Sequence, residues 1–191
     1  MIIWDVETGK KVRSFSCRGA GIAGIHDQKP RILSAGGDAI ELWDSETGQL
    51  LRQYKPIGRV VSCLVFSKDL RRALVGCLDS SVLVWDVETG RQLACLRGHT
   101  KQVLGAAFSP DGRKAVTGGR DNTVRVWDLS AGKELICFRG HTLGVRCVSF
   151  FPDGSQVVSG SGDWARIKVS KSTRKNLVDY TVRVWRLAPN P

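Results

Sequence analysis

Histidine is scarce in this sequence, with three in 191 residues, and methionine (one), tyrosine (two) and proline (six) are scarce with it. No histidine pairs with a cysteine at ligand spacing, so no metal site is expected. Six cysteines are present (Cys17, Cys63, Cys77, Cys95, Cys137 and Cys147), but none forms a C-x-x-C pair and most sit among apolar residues. That pattern argues for buried free thiols in a reducing compartment, the cytoplasm or the nucleus, and against a disulfide framework. Long apolar runs are missing too. The longest, Val60 to Phe66, is seven residues with Ser62 inside it, against the roughly 20 needed to cross a bilayer. The first residues, MIIWDVETG, have no basic stretch ahead of an apolar one, so no signal peptide is read there. Acidic residues number 18 against 29 basic ones, giving a net charge of +11. With 42% apolar residues and 21 glycines, the balance excludes collagen-like, coiled-coil and fully disordered chains.

What the sequence has is a repeat. Trp-Asp occurs at Trp4-Asp5, Trp43-Asp44, Trp85-Asp86 and Trp127-Asp128, and Trp185-Arg186 is a variant. Successive tryptophans are 39, 42, 42 and 58 residues apart. The first four pairs are followed by turn segments, VETGK, SETGQ, VETGR and LSAGK, each leading into a short run such as Gln92 to Leu96. Glycine in a left-handed turn position lets two antiparallel strands connect tightly.

The later units show the pattern best. RGHTKQVLGAAFSPDGRKAVTGGRD aligns with RGHTLGVRCVSFFPDGSQVVSGSGD. Val103–Phe108 and Val145–Phe150 read as strands, SPDG and FPDG as turns, and Ala115–Gly118, Val157–Gly160 and Thr123–Trp127 as further strands. Four short strands in each unit of about 42 residues, without helical periodicity, predict an all-β protein. The units run approximately 1–17 (partial), 18–56, 57–98, 99–140 and 141–187 within a single domain.

In these residues the chain resembles the WD-repeat family of β-propellers, and the resemblance spans almost its whole length. It implies a hydrogen-bonded network of His, Ser or Thr, Asp and Trp inside each blade. The matching positions are His99, Thr117, Asp121 and Trp127 in the 99–140 unit. In the last unit they are His141, Ser159 and Trp185, with Asp163 and Asp179 competing for the acidic place. A shared network satisfies a buried imidazole and a buried carboxylate together, so both histidines read as structural. The earlier units depart from this. Ile57 and Val75 replace the His and Ser/Thr of the 57–98 unit, which keeps Asp79. The 18–56 unit keeps Ser34 and Asp38, but Arg18 falls near the histidine position and His26 is out of phase.

The last unit holds an extra segment, Trp164 to Asp179, whose removal restores a spacing of 42. It carries Arg166, Lys168, Lys171, Arg174 and Lys175 against Asp179 alone. We read it first as a solvated loop or a splice or gene-model variant, and second as a phosphate-binding element. The chain opens in the middle of a motif and closes without a fourth strand in its last unit, and Lys10 to Phe15 is a candidate to supply that strand. The resemblance implies about seven blades, or roughly 290 residues at ~42 each. A partial or open propeller of about four blades is therefore expected, a fragment or a short isoform.

No nucleophile elbow, P-loop or dinucleotide fingerprint is present, so no catalytic residue and no cofactor are expected. The resemblance implies a protein-interaction scaffold. Arg59, Lys101, Arg120 and Leu143, beside the Gly-His and Asp turns, are the candidate contacts with other proteins. A basic propeller that binds nucleic acid or anionic membrane is the alternative. Phosphoinositide-binding propellers carry a paired-arginine motif, and the nearest segment here, Phe138-Arg139-Gly140-His141, has one arginine. Receptors for cullin-RING ligases often show Arg where this chain has Glu7, Glu46, Glu88 and Ser130. Self-association or entry into a larger complex would cover open flanks.

Overall fold

The structure is a computed structural model that describes residues 2–14, 22–25, 30–36, 39–54, 58–162 and 181–187. The insertion at 164–179, with Asp163 and Asp179, lies outside the described residues, as do Arg18, His26, Asp38, Ile57 and Cys17. Among the described residues, seventeen strands form five antiparallel sheets. β1 (Ile2–Trp4) and β2 (Lys11–Ser14) make a hairpin. β3 (Ile22–Ile25), β4 (Arg31–Gly36), β5 (Ala39–Asp44) and β6 (Leu50–Tyr54) make the first four-stranded sheet. β7 (Val61–Phe66), β8 (Arg72–Cys77), β9 (Val82–Asp86) and β10 (Gln92–Leu96) make the second. β11 (Val103–Phe108), β12 (Lys114–Gly119), β13 (Thr123–Asp128) and β14 (Lys133–Arg139) make the third. β15 (Val145–Phe150), β16 (Gln156–Ser161) and β17 (Val182–Arg186) make the last.

The Trp-Asp aspartate builds the turn that closes each complete sheet. Asp86 accepts hydrogen bonds from the backbone N–H and hydroxyl of Thr89, at 2.6 and 2.8 Å. Asp5 holds Thr8 in the same way, Asp44 caps the N–H of Thr47, and Asp128 caps Ser130. Gly9, Gly48, Gly90 and Gly132 follow with φ between 64° and 74°, a conformation that glycine adopts without steric cost. Arg186 breaks this series, and the sheet it belongs to has three strands among the described residues. The expectation that Lys10 to Phe15 completes that sheet is corrected here. β2 pairs with β1 through the Asp5–Thr8 turn, a local closure, and not with β17.

Each four-stranded sheet packs on the one that follows it through that sheet's first strand: β7 lies on β3 and β4, β11 on β7 and β8, and β15 on β11 and β12. Three apolar layers result. Leu33, Ile40 and Leu42 meet Leu64, Phe66 and Val75 in the first. Leu74, Val82 and Val84 meet Val103 and Trp127 in the second, and Val116, Val124 and Val126 meet Val145 and Val157 in the third. In every strand one face looks back and the other looks forward, as the two-residue period of a strand requires. The forward face of the last sheet is different. Val182 and Val184 match the buried Val124 and Val126 in register, yet they are 74% and 53% exposed. Cys147 is exposed as well, a correction to the reading of core thiols. Its counterpart Cys63 is covered by Val103 of the following sheet, and no such sheet covers Cys147 among the described residues. The arrangement is an open β-propeller, all-β, of about four blades.

Candidate functional site

The third sheet holds a continuous polar chain inside its apolar layers. The indole N–H of Trp127 donates to Thr117 Oγ1 at 2.8 Å, and that oxygen lies 2.8 Å from His99 Nε2. His99 Nδ1 lies 2.9 and 3.0 Å from the two oxygens of Asp121. A carboxylate only accepts, so Nδ1 carries the proton and Nε2 accepts from the threonine hydroxyl. Asp121 also takes hydrogen bonds from the backbone N–H of Thr100 at 3.0 Å and from the N–H and hydroxyl of Thr123 at 3.1 and 2.7 Å. Burial pushes the Asp121 carboxyl up. The His99 hydrogen bond, the Thr100 N–H and the Thr123 hydroxyl outweigh that and hold it well below the usual carboxylate range.

Hydroxyl, imidazole and carboxylate in a row have the chemistry of an acyl-transfer triad, but the access is wrong for one. The side chains of His99 and Asp121 are 0% and 4% exposed, and the Thr117 hydroxyl is held by Trp127. A substrate cannot reach the hydroxyl, and the row joins strand β12, strand β13 and the two turns that precede β11 and β13. Arg125 lengthens it, donating to Thr123 Oγ1 at 3.2 Å and pairing with Glu134 of β14.

The last sheet repeats the part of this row that is described. His141 Nε2 is 2.7 Å from Ser159 Oγ, Trp185 Nε1 donates to the same oxygen at 2.8 Å, and Thr181 Oγ1 lies 3.3 Å from His141 Nδ1. In the first sheet, Trp43 donates to Ser34 Oγ at 2.9 Å, with buried Glu41 beside it. The second sheet is built otherwise. Val75 offers no hydroxyl, and Trp85 Nε1 is buried with no hydrogen-bond partner among the described residues. Arg59 reaches the acidic place instead, 3.3 Å from Asp79 and 2.6 Å from Ser81 Oγ. A guanidinium thus stands in for imidazole. Sequence reasoning missed it, since Arg59 sits two residues from the aligned histidine position and only its length brings it there.

Three of the four candidate contact residues gather on one rim; Arg59 is committed to Asp79 and Ser81. Lys101 and Arg120 are exposed, and Arg120 is tied to Gln102 through the 2.8 Å backbone bond and a 3.1 Å side-chain bond. Leu143 is half-buried beside Thr142, whose carbonyl accepts from Asn122 at 3.1 Å. The rim is thus made of the turns that the buried row anchors. Burial pushes the Cys63 thiol up to about 12 and the Cys77 thiol up to about 11, so neither is a ready thiolate.

Sheets of four antiparallel strands stacked in chain order, each locked by an internal Trp-to-hydroxyl bond or its substitute, define a propeller of repeated blades. The sequence model of the WD domain, G-beta repeat (WD40), matches at residues 48–86, 90–128 and 132–186, well over half of the chain, and the chain belongs to that family. Each matched stretch begins at the last strand of one sheet and ends at the third strand of the next. The sequence repeat is therefore one strand out of phase with the sheets, so every repeat ties two blades together. A search of curated proteins finds no match to the chain.

Proposed function

We propose that the chain is a non-enzymatic scaffold that binds another protein through the rim carrying Lys101, Arg120 and Leu143. The observation that supports this most is the sealing of the His99–Asp121 row. The chemistry-bearing groups of the third blade serve to hold its turns, which leaves the turns themselves as the surface that meets other molecules. WD repeats generally mediate protein–protein contacts, and a rigid blade holding short loops suits that work. Five described cysteines are free thiols, which supports a place in the cytoplasm or nucleus.

The test is affinity capture on the full chain, compared with a Lys101→Glu/Arg120→Glu variant of unchanged melting temperature. The reading expects specific protein partners that the variant loses. Capture that survives in the variant, or binding to DNA, RNA or anionic liposomes that collapses with added salt, contradicts it.

A further inference from the structure

Between the first and second four-stranded sheets lies a groove of about 490 Å³, within the range of roughly 300–1,000 Å³ typical of binding sites. Its floor is apolar: Leu42 of β5, Leu70 from the β7–β8 turn and Val87 after β9, all buried. Its rim carries three guanidinium groups, those of Arg31, Arg52 and Arg71. Two carboxylates also line it, Asp69 and Glu88. Asp69 is engaged by its own turn, accepting from the Ser67 hydroxyl at 2.6 Å and the Arg71 N–H at 3.1 Å.

Two features set this groove apart from the neighbouring junction. Leu70 holds φ 60°, a left-handed backbone that costs a branched, bulky residue free energy; the equivalent positions in the next two sheets are Gly112 and Gly154, at 67° and 71°. The strain places a leucine side chain on the groove floor where glycine would leave a gap. Arg72, the counterpart of Arg31 in the second sheet, donates to the carbonyl of Gly112 at 2.7 Å and lies over the Phe108 ring. Arg31, Arg52 and Arg71 make no side-chain hydrogen bond or ion pair among the described residues, and Arg52 lies 6.0 Å from the centre of the Tyr54 ring. Three arginines that make no ion pair among the described residues, set around an apolar floor, are complementary to carboxylates flanking an apolar side chain, since the guanidinium fork matches a carboxylate in geometry and charge.

We propose that this groove binds a short acidic segment of a partner protein, with one apolar side chain seated on Leu42, Leu70 and Val87 and carboxylates on the arginine rim. The proposal rests on the scaffold reading and adds a second contact surface to it, apart from the Lys101–Arg120 rim. The probe is a phage-displayed library of random peptides panned on the full chain, with enriched peptides then titrated against variants. The expected result is enrichment of acidic residues around an apolar one, and affinity lowered by about tenfold or more in Arg52→Glu/Arg71→Glu. Lys101→Glu/Arg120→Glu is expected to leave that affinity unchanged. Should the charge reversal shift the melting temperature, Arg52→Gln/Arg71→Gln and Leu70→Gly, which keeps the turn conformation of Gly112, replace it. Enrichment without acidic bias, no enrichment, or equal affinity for the groove variants overturns the proposal. Binding lost only in the Lys101/Arg120 variant overturns it while leaving the scaffold reading intact.

Discussion

Trp85 and Val75 are a mismatched pair: the buried indole N–H of one stands where the other offers a methyl group instead of an oxygen. The three sister sheets place Ser34, Thr117 and Ser159 at that position, each accepting from its tryptophan at 2.8 to 2.9 Å. Val75→Thr is therefore expected to stabilise the chain by about 1 kcal/mol, the net worth of one new buried hydrogen bond. The mirror change, Thr117→Val, removes the acceptor of Trp127 and the partner of His99 together and is expected to cost about 2–3 kcal/mol. Urea denaturation of both variants checks the pair; equal and like-signed shifts would refute the shared role.

The row through His99 sets a pH dependence. The Asp121 carboxyl is held below its ordinary range in the folded chain, so the unfolded chain binds its proton first as pH falls. Its contribution is complete above the ordinary carboxylate pKa and is lost as pH drops toward the folded value. Asp121→Asn is expected to lower stability at neutral pH by about 1–3 kcal/mol and to flatten the acid limb of the stability curve. His99→Ala is expected to cost a similar amount at neutral pH. A variant curve parallel to that of the wild type would remove Asp121 from the account.

Arg59 and His99 hold equivalent turns by different physics, and salt separates them. The Arg59–Asp79 pair is a quarter to nearly a half exposed, so Arg59→Ala is expected to cost at most about 1 kcal/mol and less still as salt rises. The cost of His99→Ala is expected to be nearly independent of salt, because its side chain is fully buried. Thermal melts across a salt series compare the two directly.

The uncovered forward face of the last sheet makes a prediction about association. Val182 and Val184 present to water what Val124 and Val126 bury, and contiguous apolar surface of that kind promotes contact with other molecules. Val182→Lys/Val184→Lys is expected to reduce concentration-dependent light scattering and binding of a hydrophobic dye, with the blades intact by circular dichroism. Unchanged scattering and dye binding would mean that this face is covered in solution.

The repeat made the fold legible, because Trp-Asp, the glycine turns and the alternating strands recur in phase and each has a local physical cause. The third blade was legible for the same reason: His99, Thr117, Asp121 and Trp127 stand at spacings that repeat in the next unit. Contacts made by reach rather than register were hidden, as with Arg59. So was the fate of Lys11–Ser14, where the pattern showed a strand but not that the nearby Asp5 turn would claim it for β1. The arginine groove draws Arg31, Arg52 and Arg71 from two units, and a sequence pattern read within one unit does not bring them together. Leu70 was visible only as a leucine where two other turns carry glycine.

The most direct test of the scaffold account is hydrogen–deuterium exchange on the full chain, alone and with a captured partner. The account predicts new protection in the turns that carry Lys101, Arg120 and Leu143, with strands β12 and β13 slow in both states and unchanged. Protection that leaves those turns untouched, or fast exchange in β12 and β13 of the chain alone, would contradict it.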